Sequence, residues 1–226
     1  EMGSRGNDFG NSEKNSNFTS NTTKDEIQSI LSGTGKVSHG TAIQTASSYL
    51  RRNAGTGTEG KGSKLYKQQE AEHLKSYITE NNLWFPESEL RNYILEGAEQ
   101  KVYRIDANTI IKVNDTIFYT SWEDYFNNLL LHNYFFPDTA YELIGFIEKE
   151  GQLFSVVKQP FIEETEKTDL NAVKKFMADN GFINNKNEDY YNPELGIILE
   201  DLHDENVLTK DGVLYFIDTV FYIKNN

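Results

Sequence analysis

The sequence contains no cysteine, which excludes disulfide bonds and every metal or catalytic centre built on thiolate. Its four histidines, His39, His73, His132 and His203, are scattered without HExxH or comparable ligand spacing, so no histidine-rich zinc site is encoded. Positive charge is also scarce. Twenty-two Lys and Arg face 35 Asp and Glu, a formal charge of −13. Binding a nucleic-acid backbone takes clustered Lys and Arg, so no nucleic-acid partner is expected, and most of the acidity reads as solvated surface. No apolar run approaches the roughly 18–20 residues that span a bilayer, so no membrane association is expected. The N-terminus is polar rather than basic and then apolar, which leaves a signal peptide unsupported and makes the cytoplasm the default location.

Hydrophobic residues make up 37% of the chain and aromatics 13%, and most of them lie after Leu83. The length of 226 residues suits one domain with a tail. Residues 1–24 are almost all Asn, Ser, Thr, Gly and charge and read as a disordered or appended tail. Between 25 and 53, the apolar residues Ile27, Ile30, Leu31, Ile43, Ala46 and Leu50 fit two short helices separated by Gly33–Gly40. The Gly- and Thr-rich stretch 54–63 reads as a linker. Its run Gly55-xxxx-Gly60-Lys61 approaches a P-loop, but Gly62 replaces the required Ser or Thr and no strand precedes it. A further helix over 65–82 completes a helical extension covering 25–91.

After Pro86 the pattern turns to strands. These are Val102–Ile105, Thr109–Val113, Tyr141–Ile147 and Leu153–Val157. Between the second and third, Trp122, Tyr125, Phe126, Leu129 and Leu130 form one buried helical stripe over about Ser121–Phe136. A polar helix near Asp169–Asn180 follows, and then a hairpin in which Asp211-Gly212 turns between Val207-Leu208 and Val213–Ile217. The fold class is α+β, with short helices at the front. No internal repeat is visible.

The final hairpin carries the chemistry. If Val207-Leu208 pairs with Val213-Leu214, Asn206 and Asp218 share one open end, and the loop holding Asp201 leads into it. The run Glu200-Asp201-Leu202-His203-Asp204-Glu205-Asn206 then has two readings. It is either a solvated acidic turn, or a set of carboxylates wedged between apolar strands that need partners or a metal. Two hard-oxygen ligands suit Mg2+, which keeps sites for water and phosphate, with one carboxylate left as base. An acidic chain can bind ATP because Mg2+ brings the positive charge.

Asp201-Leu202-His203-Asp204-Glu205-Asn206-Val207-Leu208 resembles the kinase catalytic loop, with the same Asp-to-Asn spacing and following apolar pair. The His after Leu is similar to the aminoglycoside-phosphotransferase branch of that superfamily. Phe216-Ile217-Asp218-Thr219 stands where the metal-binding Asp-Phe-Gly would be. The resemblance implies that Asp201 is the base and that Asn206 and Asp218 hold the metal. Upstream, Glu96-Gly97-Ala98-Glu99-Gln100-Lys101-Val102-Tyr103 resembles a degenerate glycine-rich loop in which Gly97 remains and Gln100 replaces the last glycine. Gly97, Gln100 and Val102 are thereby nucleotide-contacting candidates. Ile110-Ile111-Lys112 resembles the V-A-I-K strand, which implies that Lys112 pairs the phosphates. Its acidic partner would be Glu123, with Asp124 the neighbour to weigh. Val156–Ile162, including Gln159 and Phe161, would be the hinge that meets adenine.

More narrowly, Gly97–Tyr103, Ile111–Asp115, His132–Pro137, Val156–Ile162 and the Asp201 loop resemble the small kinase-like domain of polyvalent proteins from bacterial mobile elements and phages. The implied architecture is a minimal kinase-like fold over 92–226. It has an antiparallel N-lobe sheet with a αC-type helix, then a reduced C-lobe carrying the catalytic-loop hairpin. The implied activity is Mg-ATP-dependent phosphotransfer to an unknown protein or small-molecule acceptor, in the cytoplasm of a bacterial or phage-infected host. The alternative is a nucleotide-binding pseudokinase acting as an interaction module. Three departures bear on that choice. Thr219 replaces the glycine after Asp218, Glu200 stands where protein kinases usually carry Arg, and the sequence ends at Asn226. A peptide acceptor is therefore expected to need another platform or partner.

Overall fold

The computed structural model describes residues 16–54, 64–97 and 100–224. Three helices come first: α1 (Ser16–Ser32), α2 (Gly40–Asn53) and α3 (Lys64–Glu80). In α2 the residues Ile43, Ala46, Ser47 and Leu50 recur at helical spacing and are all buried. In α3 the buried positions are Glu70, Leu74, Tyr77 and Ile78. Helix α1 starts inside the stretch read above as a tail. Once Ile27 and Ile30 are buried, each preceding residue adds a helical bond at little further cost, even where it is polar. The linker and its P-loop-like run at 55–63 lie outside the described residues.

Five antiparallel strands follow: β1 (Tyr93–Glu96), β2 (Gln100–Arg104), β3 (Thr109–Asn114), β4 (Glu142–Lys149) and β5 (Gln152–Pro160), in the order β1-β2-β3-β5-β4. Helix α4 (Trp122–Phe135) packs on this sheet. Ser121 caps it by accepting a hydrogen bond from the Asp124 N–H at 3.0 Å. Phe126 of α4 and Phe146 of β4 are fully buried, with ring centroids 6.4 Å apart in edge-to-face contact. They belong to one core that also includes Ile30, Ile43, Leu74 and Ile78 of the front helices. The free edge of β4 is covered by residues 83–85: Phe85 N–H donates to Phe146 O and Phe146 N–H to Leu83 O. Gly145 permits this approach, since a Cβ there would sit 2.7 Å from Leu83 O.

The second half holds α5 (Leu170–Asp179), β6 (Ile183–Lys186), β7 (Asp189–Asn192), β8 (Ile197–Glu200), β9 (Val207–Lys210), β10 (Val213–Phe216) and β11 (Val220–Ile223). Strands β11-β8-β7-β6 form one antiparallel sheet, and β9 pairs with β10 as a hairpin. A second core gathers Val173, Met177, Leu199, Leu202, Val207 and Phe216, with Leu131 and Phe135 contributed by α4. Helix α4 therefore belongs to both cores.

The hairpin differs in register from the expected one. Val207 faces Phe216 and Lys210 faces Val213, leaving only Asp211 and Gly212 in the turn. Both have positive φ, 50° and 77°, as a two-residue turn matching strand twist requires. The fold is a mixed α and β structure with antiparallel sheets. Among the described residues no helix is long and apolar enough to cross a membrane.

Candidate functional site

A cleft of about 1460 Å³ opens between the five-stranded sheet and the second half. Gly97, Gln100, Val102, Lys112, Phe161, Asp201, Asn206 and Asp218 all line it. Its roof follows from strand register. Val102 pairs with Lys112, and Ile110 pairs with Gln159. Paired and alternate residues share a sheet face; Val102, Ile110 and Lys112 line the cleft, and Gln159 lies on the same face behind it. Lys112 is 3% exposed. Its Nζ donates to Ile217 O at 2.7 Å and lies 5.4 Å from the Tyr141 ring centroid.

The floor is the Asp201–Asn206 loop. Leu202 is fully buried beneath it, and its N–H donates to Glu188 O at 3.1 Å. Asp201 takes a positive φ of 69°, a conformation Asp tolerates better than most residues. Its N–H donates to Asp189 Oδ1 at 3.1 Å. Asn206 Nδ2 donates to Asp201 O at 2.9 Å and to Asp201 Oδ2 at 3.1 Å. His203 Nε2 stands 3.3 Å from Asp201 Oδ1. The hairpin brings Asp218 alongside, because Ile217 N–H and Asp218 N–H both donate to Asn206 O, at 2.9 and 3.4 Å. Asp218 Oδ2 accepts from Gln100 Nε2 at 2.5 Å, which ties roof to floor. Burial raises the pKa of Glu200, with Asp189 and Asp201 adding to the effect.

Three expected residues stand differently. Glu123 is in the first turn of α4, its carboxylate 3.8 Å from Arg51 of α2, and it faces the front helices rather than Lys112. His132 of α4 instead bonds to Thr219, next to Asp218, about 13.5 Å further along the axis at ~1.5 Å per residue. Asp124, the other acid weighed, accepts from Thr120 Oγ1. Gln159 is 1% exposed, and its Nε2 donates to Thr139 O and Ile217 O at 2.8 and 3.0 Å. It forms part of the wall behind the cleft, inside β5, rather than a hinge. The Phe161 N–H donates to Asn108 O at 2.8 Å, and its ring lies 4.1 Å from the Arg104 guanidinium. Its backbone donor is thus engaged by the turn after β2, while the chain beyond it, to Thr168, lines the cleft.

The residues missed in the sequence are those behind Asp218. Tyr141 OH donates to Ile217 O at 3.0 Å, and His132 contacts Thr219 and Thr139. His132 is fully buried and pushed down to about 3 by that burial, opposed by its bond to Thr139 and reinforced by the charge of Lys112; it is neutral at physiological pH. A lone His in an apolar helical stripe carries no sequence signal for this role.

The donors present fit Mg2+. Among the described residues there is no cluster of three His, Cys, Asp or Glu suited to a metal. Asn206 donates through Nδ2 to Asp201, which leaves Oδ1 as its side-chain acceptor, and the Asp218 carboxylate lines the same cleft. Two protein oxygens suit an ion that takes its remaining ligands from phosphate and water.

A lysine on a sheet and an Asp-to-Asn loop with a second Asp, all lining one cleft, resemble the arrangement of the kinase motifs. The model of a family described as Serine/Threonine/Tyrosine kinase found in polyvalent proteins matches residues 67–225. The chain belongs to that family. No curated protein and no solved structure matches it.

Proposed function

We propose that this chain is a Mg-ATP-dependent phosphotransferase with a reduced protein-kinase-like architecture. Strands β1–β5 with α4 form the small lobe, and α5 with β6–β11 forms a reduced second lobe. The supporting observation is the convergence of Lys112, Asp201, Asn206 and Asp218 on one cleft.

Lys112 meets the phosphates from the roof, and Asn206 Oδ1 with Asp218 would hold Mg2+ below them. The bound ion would supply charge neutralisation on the phosphate oxygens. Asp201, whose side chain is 56% exposed, meets an acceptor arriving from solvent, with Asn206 and His203 orienting its carboxylate. The acceptor hydroxyl oxygen forms a bond to the γ-phosphorus as the bond from that phosphorus to the bridging oxygen breaks. ADP leaves, and the hydroxyl proton passes to the Asp201 carboxylate. The acceptor is a protein or small-molecule hydroxyl, and the site of action is the cytoplasm of a bacterial or phage-infected host.

The alternative is a nucleotide-binding module without transfer. Its support is that Lys112 and Asp218 already have internal partners, Ile217 O and Gln100. The retained Asp201 favours transfer, since binding alone does not call for a base. Mg-ATP is expected to raise Tm, and Asp218→Ala to abolish the rise; no shift at millimolar ATP and Mg2+ would remove both readings. Asp201→Asn is expected to keep the shift and lose phosphate transfer. If wild type and variant bind equally and neither turns ATP over, the binding module is correct.

A further inference from the structure

The segment around Asp218 is gripped on both sides of that residue. Before it, Thr139 Oγ1 donates to Phe216 O, and Ile217 O accepts from Lys112, Gln159 and Tyr141 at 2.7, 3.0 and 3.0 Å. After it, Thr219 is 1% exposed, with Oγ1 2.6 Å from His132 Nδ1. The other imidazole nitrogen, Nε2, lies 3.0 Å from Thr139 O. A carbonyl oxygen only accepts, so Nε2 carries the proton and Nδ1 accepts from the Thr219 hydroxyl. One helical turn earlier, Asn128 Oδ1 accepts from Phe221 N–H at 2.8 Å. A single face of α4 thus holds both Thr219 and Phe221, while the Asp218 carboxylate accepts from Gln100 and lines the cleft.

We propose that His132 and Thr219 are positioning residues that hold the Asp218 carboxylate at its metal-facing angle by anchoring the following residue to α4. The proposal rests on the reading of the cleft as a Mg-nucleotide site. A glycine after the metal-binding Asp would leave the backbone free to turn. A buried, β-branched Thr whose hydroxyl is spent on His132 keeps it in one setting. Orienting partners of this kind tune metal affinity without touching the metal.

The test is a Mg2+ titration of the ATP-dependent Tm shift, paired with binding of a fluorescent ATP analogue in EDTA. Thr219→Val keeps the shape and removes the hydroxyl. It is expected to raise the Mg2+ midpoint about tenfold while metal-free analogue binding stays at the wild-type value. Thr219→Ser is expected to restore the midpoint. His132→Asn places an oxygen near the Nδ1 position and is expected to retain a lower midpoint than His132→Gln, which reaches only toward Thr139. The His132 pair carries the test if Thr219→Val fails to fold. A wild-type midpoint in Thr219→Val, or equal midpoints in the two His132 variants, would overturn the proposal and leave the nucleotide reading standing. A wild-type chain unresponsive to Mg-ATP would remove that reading and the proposal together.

Discussion

Gln100 stands where a glycine-rich loop would end in glycine, and its side chain fills the space a glycine would leave open. Its amide holds Asp218 Oδ2 at 2.5 Å, so the proposed Mg2+ would compete for that oxygen or share the carboxylate. A hydrogen bond to a charged group contributes about 1.5–3 kcal/mol when sheltered, and less here because both side chains are only partly buried. Gln100→Ala is therefore expected to lower the ligand-free Tm by a few degrees and to enlarge the rise produced by Mg-ATP. Comparing the two shifts by differential scanning calorimetry checks this; a smaller rise would mean that Gln100 helps to bind the nucleotide. At this scale the sequence was most informative where chemistry is tied to spacing. Asp201, Asn206, Asp218 and Lys112 could be read because a short loop, a hairpin and a strand determine where each one goes. Glu123 could not, since a position on a helix does not reveal which turn faces the sheet. Nor could His132, Thr139 and Tyr141, whose meeting with residues 216–219 depends on how α4 and β4 pack.

Helix α4 is held at its N-terminus by a carboxylate from another element. Glu70 of α3 is 4% exposed and accepts from Trp122 N–H at 2.8 Å and Glu123 N–H at 3.3 Å, an anion at the positive end of a helix. Burial nevertheless raises its pKa from 4.5 to about 7, opposed by the two N–H bonds, while Glu123 and Asp124 push it further up. Lys67 lies on the same face of α3, its Nζ donating to Tyr119 O at 2.8 Å. A carboxyl whose pKa is raised on folding binds its proton more tightly when folded, so its contribution is present at low pH and lost as pH rises from 4.5 to about 7. The loss is on the order of 3 kcal/mol. Glu70→Gln is expected to remove this dependence, so that the stability of the wild type relative to the variant falls across the same window. Urea unfolding of both proteins at several pH values measures it, and a constant difference would refute it. The front helices and strands β2–β5 were legible from apolar spacing. Strand β1 was not, because all four of its residues are exposed on a sheet edge. Nor were β6 and β7, whose Ile183–Lys186 and Asp189–Asn192 are largely polar and are paired through backbone rather than pattern.

Helices α1 and α2 precede the family match, which begins within α3 at residue 67, yet they are built into the same core. Ile30 and Ile43 are buried with Leu74 and Ile78 of α3, Phe126 and Leu130 of α4 and Phe146 of the sheet. Arg51 of α2 donates to Leu31 O and Ser47 Oγ at 3.1 and 2.9 Å and reaches Glu123 of α4, so the front helices are joined to one another and to the helix that anchors Thr219. The boundary at 91/92 marks a change of sequence pattern, but the core runs across it. Removing buried methyl groups from such a core costs about 2–5 kcal/mol, and a shared core passes that cost to every element within it. Ile43→Ala is therefore expected to lower the urea midpoint of the whole chain in a single transition, without a change in slope. The Mg-ATP-dependent stabilisation should disappear at that same lowered midpoint. Tryptophan fluorescence reads the transition, because Trp122 is 2% exposed at the start of α4 and Trp84 is 38% exposed beside the sheet edge. Two separate transitions, with nucleotide binding surviving the first, would show that α1 and α2 fold as an independent unit beside the kinase-like domain.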